Sequence, residues 1–269
     1  MVKVAENRGF TLIELLTAIL IVFLVVGALL GLYVASNRAF MVSSDVASLT
    51  EDVRNTVTTL DFIFSRWGVG VPCRNNDCSV VVSNINSGIL PDCDSTYPPS
   101  DPMCATIGSG SVTFYASLGG MGVVTNSTGQ AVSCRLQKGE PYYLWNGTKI
   151  ANWDGTGSSI PYCTVNVSED NKDCFNGPDN SIVSISTSCS LSPGVVLIRT
   201  PHRITIYLNS NTLYMDRYDV ALGQAENAIK LADRVRSFSV NKDGRNLRVV
   251  IDFVSEGGRI FHYERYFGR

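Results

Sequence analysis

Glu14 is the one side chain in the stretch 10–35 that ordinarily carries a charge at neutral pH, and Thr11, Thr17 and Tyr33 are the other polar groups. Placing a carboxylate in an apolar membrane helix costs on the order of 3 kcal/mol, so its presence there asks for a function. Immediately upstream, residues 1–9 carry Lys3, Glu6 and Arg8 and end in Gly9. A secretory signal places small residues after its apolar run and is removed whole; here the small residue comes before the run. Hydrolysis of the Gly9–Phe10 bond would remove the charged leader and leave the apolar helix attached. It would also create an α-amino group on Phe10, about one helical turn from Glu14, with an ordinary pKa near about 8. Amine and carboxylate could then neutralise each other, within one chain or between neighbours.

The remaining chemistry-bearing residues are fewer. Cys73, Cys78, Cys93, Cys104, Cys134, Cys163, Cys174 and Cys189 form an even set in one part of the chain, with no CxxC or Cys/His ligand spacing. Disulfides in an oxidising compartment are the reading that fits, not zinc; up to four bridges are possible, with connectivity open among about 105 arrangements. The acidic run around Asp170, Asp173 and Asp179 offers oxygen ligands of the kind calcium takes. Its spacing is not that of an EF-hand, Cys174 interrupts it, and a solvated turn is the simpler account, so no metal or other cofactor is expected. His202 and His262 are the only histidines and fall in strand-like runs, which suits structural roles. With no nucleophile or phosphate-loop motif, an enzyme is not expected. Asn126, Asn146 and Asn166 match the glycosylation acceptor pattern but carry no weight in a Ser/Thr/Asn-rich segment.

These residues need elements to position them. The run 10–35 is long enough, at about 1.5 Å per residue, to cross a bilayer of roughly 30 Å. The positive leader keeps the N-terminus cytoplasmic and exports the rest. Gly27 and Gly31 make a GxxxG pair that would allow close helix packing. Residues 36–67 turn amphipathic, with Val42, Val46, Leu49, Val53, Val57, Leu60 and Phe64 on one face and Asp45, Glu51, Asp52, Arg54 and Asp61 opposite. One helix over 10–67 follows, ended by Gly68, Gly70 and Pro72. Residues 68–194 read as a Cys-rich, loop-rich region with short strands at 79–85, 111–116, 142–145 and 181–187. Residues 195–269 read as an antiparallel sheet with strands at 195–199, 202–208, 212–220, 235–241, 247–254 and 259–267. The expected class is α+β: a long helix packed on an antiparallel β-sheet head with a disulfide-rich insert. The formal net charge of −2 and the scattered Lys and Arg leave no footprint for nucleic acid.

The run Arg8-Gly9-Phe10-Thr11-Leu12-Ile13-Glu14-Leu15-Leu16 closely resembles the class III leader of type IV prepilins and type II secretion pseudopilins. The resemblance implies cleavage after Gly9 by a prepilin peptidase, N-methylation of Phe10, and a role for Glu14 in docking during assembly. Arg203 through Leu208 with Leu213 and Tyr214, and Leu231 through Phe238, resemble minor pilins and pseudopilins of the PilW and PulJ type. The middle of the chain resembles nothing recognised, and its length and cysteine content favour the pilus branch.

The expectation is a minor type IV pilin with a single inner-membrane pass, N-terminus in and C-terminus out, later periplasmic or extracellular in the pilus. Its partners would be other pilins or pseudopilins through the helix, the prepilin peptidase and the inner-membrane assembly platform. The rivals are a J-type secretion pseudopilin, a major filament subunit, and an adhesin carried on a pilin stem.

Overall fold

A computed structural model of the chain describes residues 11–134, 136–156, 160–167, 182–187 and 189–268. Helix α1, Leu12–Ser65, is 54 residues long, or about 81 Å at 1.5 Å per residue. Its apolar N-terminal half is exposed on every side; burial begins near Asp45 and settles on Leu49, Thr56, Leu60, Ile63 and Phe64. Val42, expected on the packed face, is 45% exposed. α1 ends two residues before the predicted Trp67. Trp67 has turned into the head, where it bridges to Ala116 and its indole N–H donates to the Cys104 carbonyl at 3.0 Å. Gly68 then takes φ 73°, and a Cβ there would meet the Met103 sulfur at 2.6 Å. The left-handed backbone favours glycine, and a side chain there would also have to displace Met103.

Helix α2, Ser79–Ser87, occupies the run expected as the strand 79–85. Asp77 accepts the Ser79 N–H at 2.9 Å, the Cys73–Cys78 bridge holds the preceding turn, and Gly88 closes the helix at φ 68°. Local capping thus overrides the strand preference of the valines, and with no sheet beside them Val80, Val82 and Ile85 stay exposed.

Among the described residues fifteen strands follow. β1 (Ala105–Gly108), β2 (Ser111–Ala116), β9 (His202–Asn209) and β10 (Thr212–Asp219) form an antiparallel sheet in that order, with β11 (Gln224–Ala225) and β12 (Ile229–Ala232) both pairing β10. β13 (Val235–Asp243), β14 (Asn246–Val254) and β15 (Ile260–Phe267) form a second antiparallel sheet. Both pack on α1: Phe64 stacks on Phe114 at 5.1 Å and on Phe267 at 4.3 Å, with Leu60, Ile204, Ile206, Val249 and Ile251 fully buried around it. The turn Ser210-Asn211, with φ of 47° and 67°, joins β9 to β10 as the two-residue hairpin that its asparagine suggests.

Between β2 and β9 the chain builds a closed six-stranded antiparallel barrel. Its strands run in the order β3 (Met121–Asn126), β4 (Gln130–Cys134), β7 (Ile182–Thr187), β6 (Cys163–Val167), β5 (Glu140–Trp145), β8 (Val196–Arg199), and β8 returns to β3. Val124, Ala131, Tyr142, Leu144, Val165 and Leu197 fill it. The loop-rich reading of 68–194 is thereby corrected: full closure removes sheet edges, so short strands with weak individual signals become stable together. Nor do the strands sort at residue 194/195, since β8 belongs to the barrel while β1 and β2 belong with β9.

The stem is also tied to the head by ion pairs. Asp45, Asp52 and Asp61 flank the buried stripe rather than facing solvent alone. Arg234 reaches Asp45 at 3.4 Å, Asp52 at 2.6 Å and the Ser48 hydroxyl at 3.3 Å, while Arg265 holds Asp61. Arg234 sits in the left-handed region at φ 57°. Arg234→Ala is expected to lose about 1 kcal/mol, seen as a melting shift of about 2–4 °C; Arg234→Gly, which relieves the backbone, should lose less. Equal losses in thermal melts of the two variants would assign the effect to the side chain alone.

Candidate functional site

The helix N-terminus is built by its own first turn. Thr11 is the N-cap, with extended backbone at φ −74° and ψ 149°. Glu14 reaches back so that the Thr11 amide and hydroxyl both donate to its Oε2, each at 2.9 Å. The T-x-x-E spacing that makes this possible is the sequence pattern of a capping box, and it is the signal that the sequence reading passed over. Thr17 meets its own needs as well, its hydroxyl donating to the Ile13 and Glu14 carbonyls at 3.0 Å each. In lipid, where no water can satisfy a stray polar group, both arrangements lower the cost of carrying polar side chains.

Beyond this turn, the apolar residues as far as Val34 are all exposed. Leu12 is 79% exposed and Phe23 73%. A helix so apolar and so unburied is long enough to cross a membrane. Gly27 and Gly31 lie within it, and a Cβ at either would meet no atom within 4 Å. Among the described residues no contact uses their smallness. Gly9 and Phe10 lie outside the described residues, as do Asp170, Asp173, Asp179 and Cys174.

The cysteines of the head pair as Cys73–Cys78, Cys93–Cys104 and Cys163–Cys189, and Cys134 closes strand β4. The first two brace the loops between α1 and β1. The third ties the start of β6 to the exit from β7, stapling the barrel wall. Asn126 and Asn146 form Asx turns, their side-chain oxygens accepting the Thr128 and Thr148 N–H groups at 3.1 and 3.2 Å.

Sequence reading did not find a buried ionic cluster where the barrel meets the sheet. Arg199, at the end of β8 and 3% exposed, pairs with Asp219 of β10 at 2.7 Å and with Glu140 of β5. His202 Nε2 lies 2.9 Å from Glu226, which Arg217 also holds. Burial, followed by the Arg199 charge, pushes the His202 pKa down. Burial pushes Asp219 up, but the Leu222 N–H and the Arg199 guanidinium outweigh it and hold the carboxyl below its usual range. The ligand atoms of His202, Asp219 and Glu226 lie within 4.8 Å of one another. Both carboxylates are already neutralised by guanidinium groups, however, so the donor set suits an ionic lock better than a cation. His262, on β15, is exposed and bonds Asp252 at 2.8 Å, the contact that chiefly raises its pKa.

Comparison with known proteins bears on the N-terminus. Residues 5–30 match the prokaryotic N-terminal methylation motif. The chain is 28% identical over 226 residues to an uncharacterised protein of Aquifex aeolicus (strain VF5), covering 75% of this chain and 72% of that one. No solved structure matches. Residues 5–30 thus carry the class III leader of type IV pilins and pseudopilins, followed by a long unburied apolar helix and a disulfide-bonded antiparallel head.

Proposed function

We propose that this protein is a minor type IV pilin. It enters the inner membrane with its head outside the cytoplasm, is cut after Gly9 and methylated on Phe10 by a prepilin peptidase, and joins a pilus through α1. The observation that carries this reading is the division of one continuous helix. Leu12 to Val34 is exposed throughout, whereas Leu49, Leu60, Ile63 and Phe64 are buried in the head. Such a helix leaves its apolar half for lipid first and for neighbouring helices later, without disturbing the head. Gly27 and Gly31 would let neighbouring backbones approach closely. The work is structural and non-covalent, not enzymatic.

A secretion pseudopilin of the J kind shares the leader and the stem. The disulfide-bonded barrel, inserted between β2 and β9, favours the surface fibre, where a large exported head is useful and an oxidising environment keeps the bridges closed.

Mass spectrometry of sheared, purified surface filaments tests the proposal. A peptide starting at methylated Phe10, at a small ratio to the dominant subunit, is the expected result. A dominant ratio would make the chain the major subunit. Cleaved protein confined to the membrane fraction would favour the secretion pseudopilin.

A further inference from the structure

The outer face of the first sheet, turned away from α1, carries a pocket that the assembly reading does not use, floored by a small buried cluster in which Tyr97 and Val220 pack against Tyr115. Arg203 of β9 stands between its register partners Tyr115 of β2 and Tyr218 of β10. Its guanidinium lies over the Tyr218 ring, 4.8 Å from the centroid. Tyr97, from the loop before β1, closes a third side. Its ring is 5.4 Å from that of Tyr115, and its hydroxyl is hydrogen-bonded at 3.1 Å to Tyr143 of the barrel. With Ser95 and Val220 these groups enclose about 300 Å³. Arg74, Arg199 and Arg217 each hold an acidic partner. Exposed Arg203 has no carboxylate partner among the described residues, and Asp94, at the edge of the pocket, is taken by Arg74 at 3.2 Å.

The same face continues along the strands. Thr113 and Thr205 share a hydrogen bond at 2.9 Å, Asp216 lies opposite Thr205, and Tyr207 stacks on Tyr214 at 5.8 Å while its hydroxyl donates to Asp216 at 3.3 Å. Two aromatic stations are thus separated by a row of hydroxyls. From residue 203 to residue 207 is about 13 Å of strand.

We propose that this face binds an acidic polysaccharide, with one uronate carboxylate on Arg203. Tyrosine rings offer apolar faces of negative character to the C–H groups of a sugar ring. Hydroxyls that both donate and accept match a polyol. A guanidinium free of other acids receives a carboxylate through two parallel hydrogen bonds. A DNA strand fits less well: its sugars have no free hydroxyls within the chain, whereas the hydroxyls of a polysaccharide can donate to Asp216 and exchange hydrogen bonds with Thr113 and Thr205. A neutral glucan would leave Arg203 unused.

The test uses the full chain in phosphatidylcholine nanodiscs, titrated with polygalacturonate, dextran and a single-stranded DNA oligonucleotide. Polygalacturonate is expected to bind, and Arg203→Gln to weaken it at least about tenfold with an unchanged thermal melt. Should that variant melt early, Tyr207→Ala carries the same test, since it lies outside the pocket and trims only the second aromatic station; a several-fold loss is expected. No binding of polygalacturonate, undiminished binding by these variants, or equal binding of dextran or DNA would each overturn the proposal. The assay needs no filament, so its failure leaves the pilin reading untouched.

Discussion

Replacing Glu14 by glutamine is expected to cut incorporation of the mature chain into filaments by about a hundredfold while cleavage after Gly9 proceeds normally. Two roles compete for this residue. As a capping group, Glu14 accepts the Thr11 amide and hydroxyl. As a charge, it would neutralise the ammonium that cleavage leaves on Phe10. Glutamine keeps the first role, because its amide oxygen can accept the same two hydrogen bonds and Gln serves a capping box as well as Glu does. It abolishes the second, leaving an uncompensated ammonium in an apolar bundle at a cost of about 3 kcal/mol. Glu14→Ala removes both roles and cannot separate them. Quantifying the Phe10 peptide in membrane and sheared-filament fractions checks the prediction. If the glutamine variant enters filaments as well as the wild type, the carboxylate is a helix cap and the neutralisation idea fails.

The stem was legible in the sequence because a membrane imposes a length and an amphipathic helix a period, and both survive in residue order. Leu49, Leu60 and Phe64 were therefore placed correctly on the packed face. The C-terminal hairpins were legible for a similar reason: alternation sets a strand, and Asn211 or Gly244 marks its turn. What the sequence concealed depends on contacts between distant residues. The strand β6 is five residues long and has no strong signal of its own; its place is set by pairing with β5 and β7, the two neighbours that the sequence does mark as short strands. The α2 segment carries a Val-Val-Val run whose fate was decided by Asp77 and by a disulfide, not by propensity. The ionic cluster is hidden for the same reason. Glu140, Arg199, His202, Asp219 and Glu226 span almost ninety positions, and nothing in their spacing announces that a barrel and a sheet will press them together. The leader is the opposite case: the residues read as its site are consecutive or nearly so.

Arg199→Met is expected to destabilise the head by about 3–5 kcal/mol, because it removes one partner of a buried ion pair and strands the other. Asp219 is 2% exposed. It would keep the N–H groups of Ala221 and Leu222, each at 2.9 Å, but lose the guanidinium that balances its charge. Adding Asp219→Asn should return much of the loss, since the amide oxygen still accepts those N–H groups and no charge remains buried. The pH dependence separates this account from simple loss of packing. Burial and the Arg199 charge lower the His202 pKa below its ordinary 6.5. In the wild type, therefore, the unfolded chain takes up that proton first, and stability falls as pH drops from about 7 through the folded-state value. Without Arg199, protonated His202 sits beside Asp219 and Glu226 with less opposition. The stability difference between wild type and variant should therefore narrow from pH 7 to pH 5. Denaturation curves of the disulfide-intact protein across that range measure it. A difference that stays constant would mean that Arg199 acts through its bulk alone, and that the junction of barrel and sheet is held by packing rather than by charge.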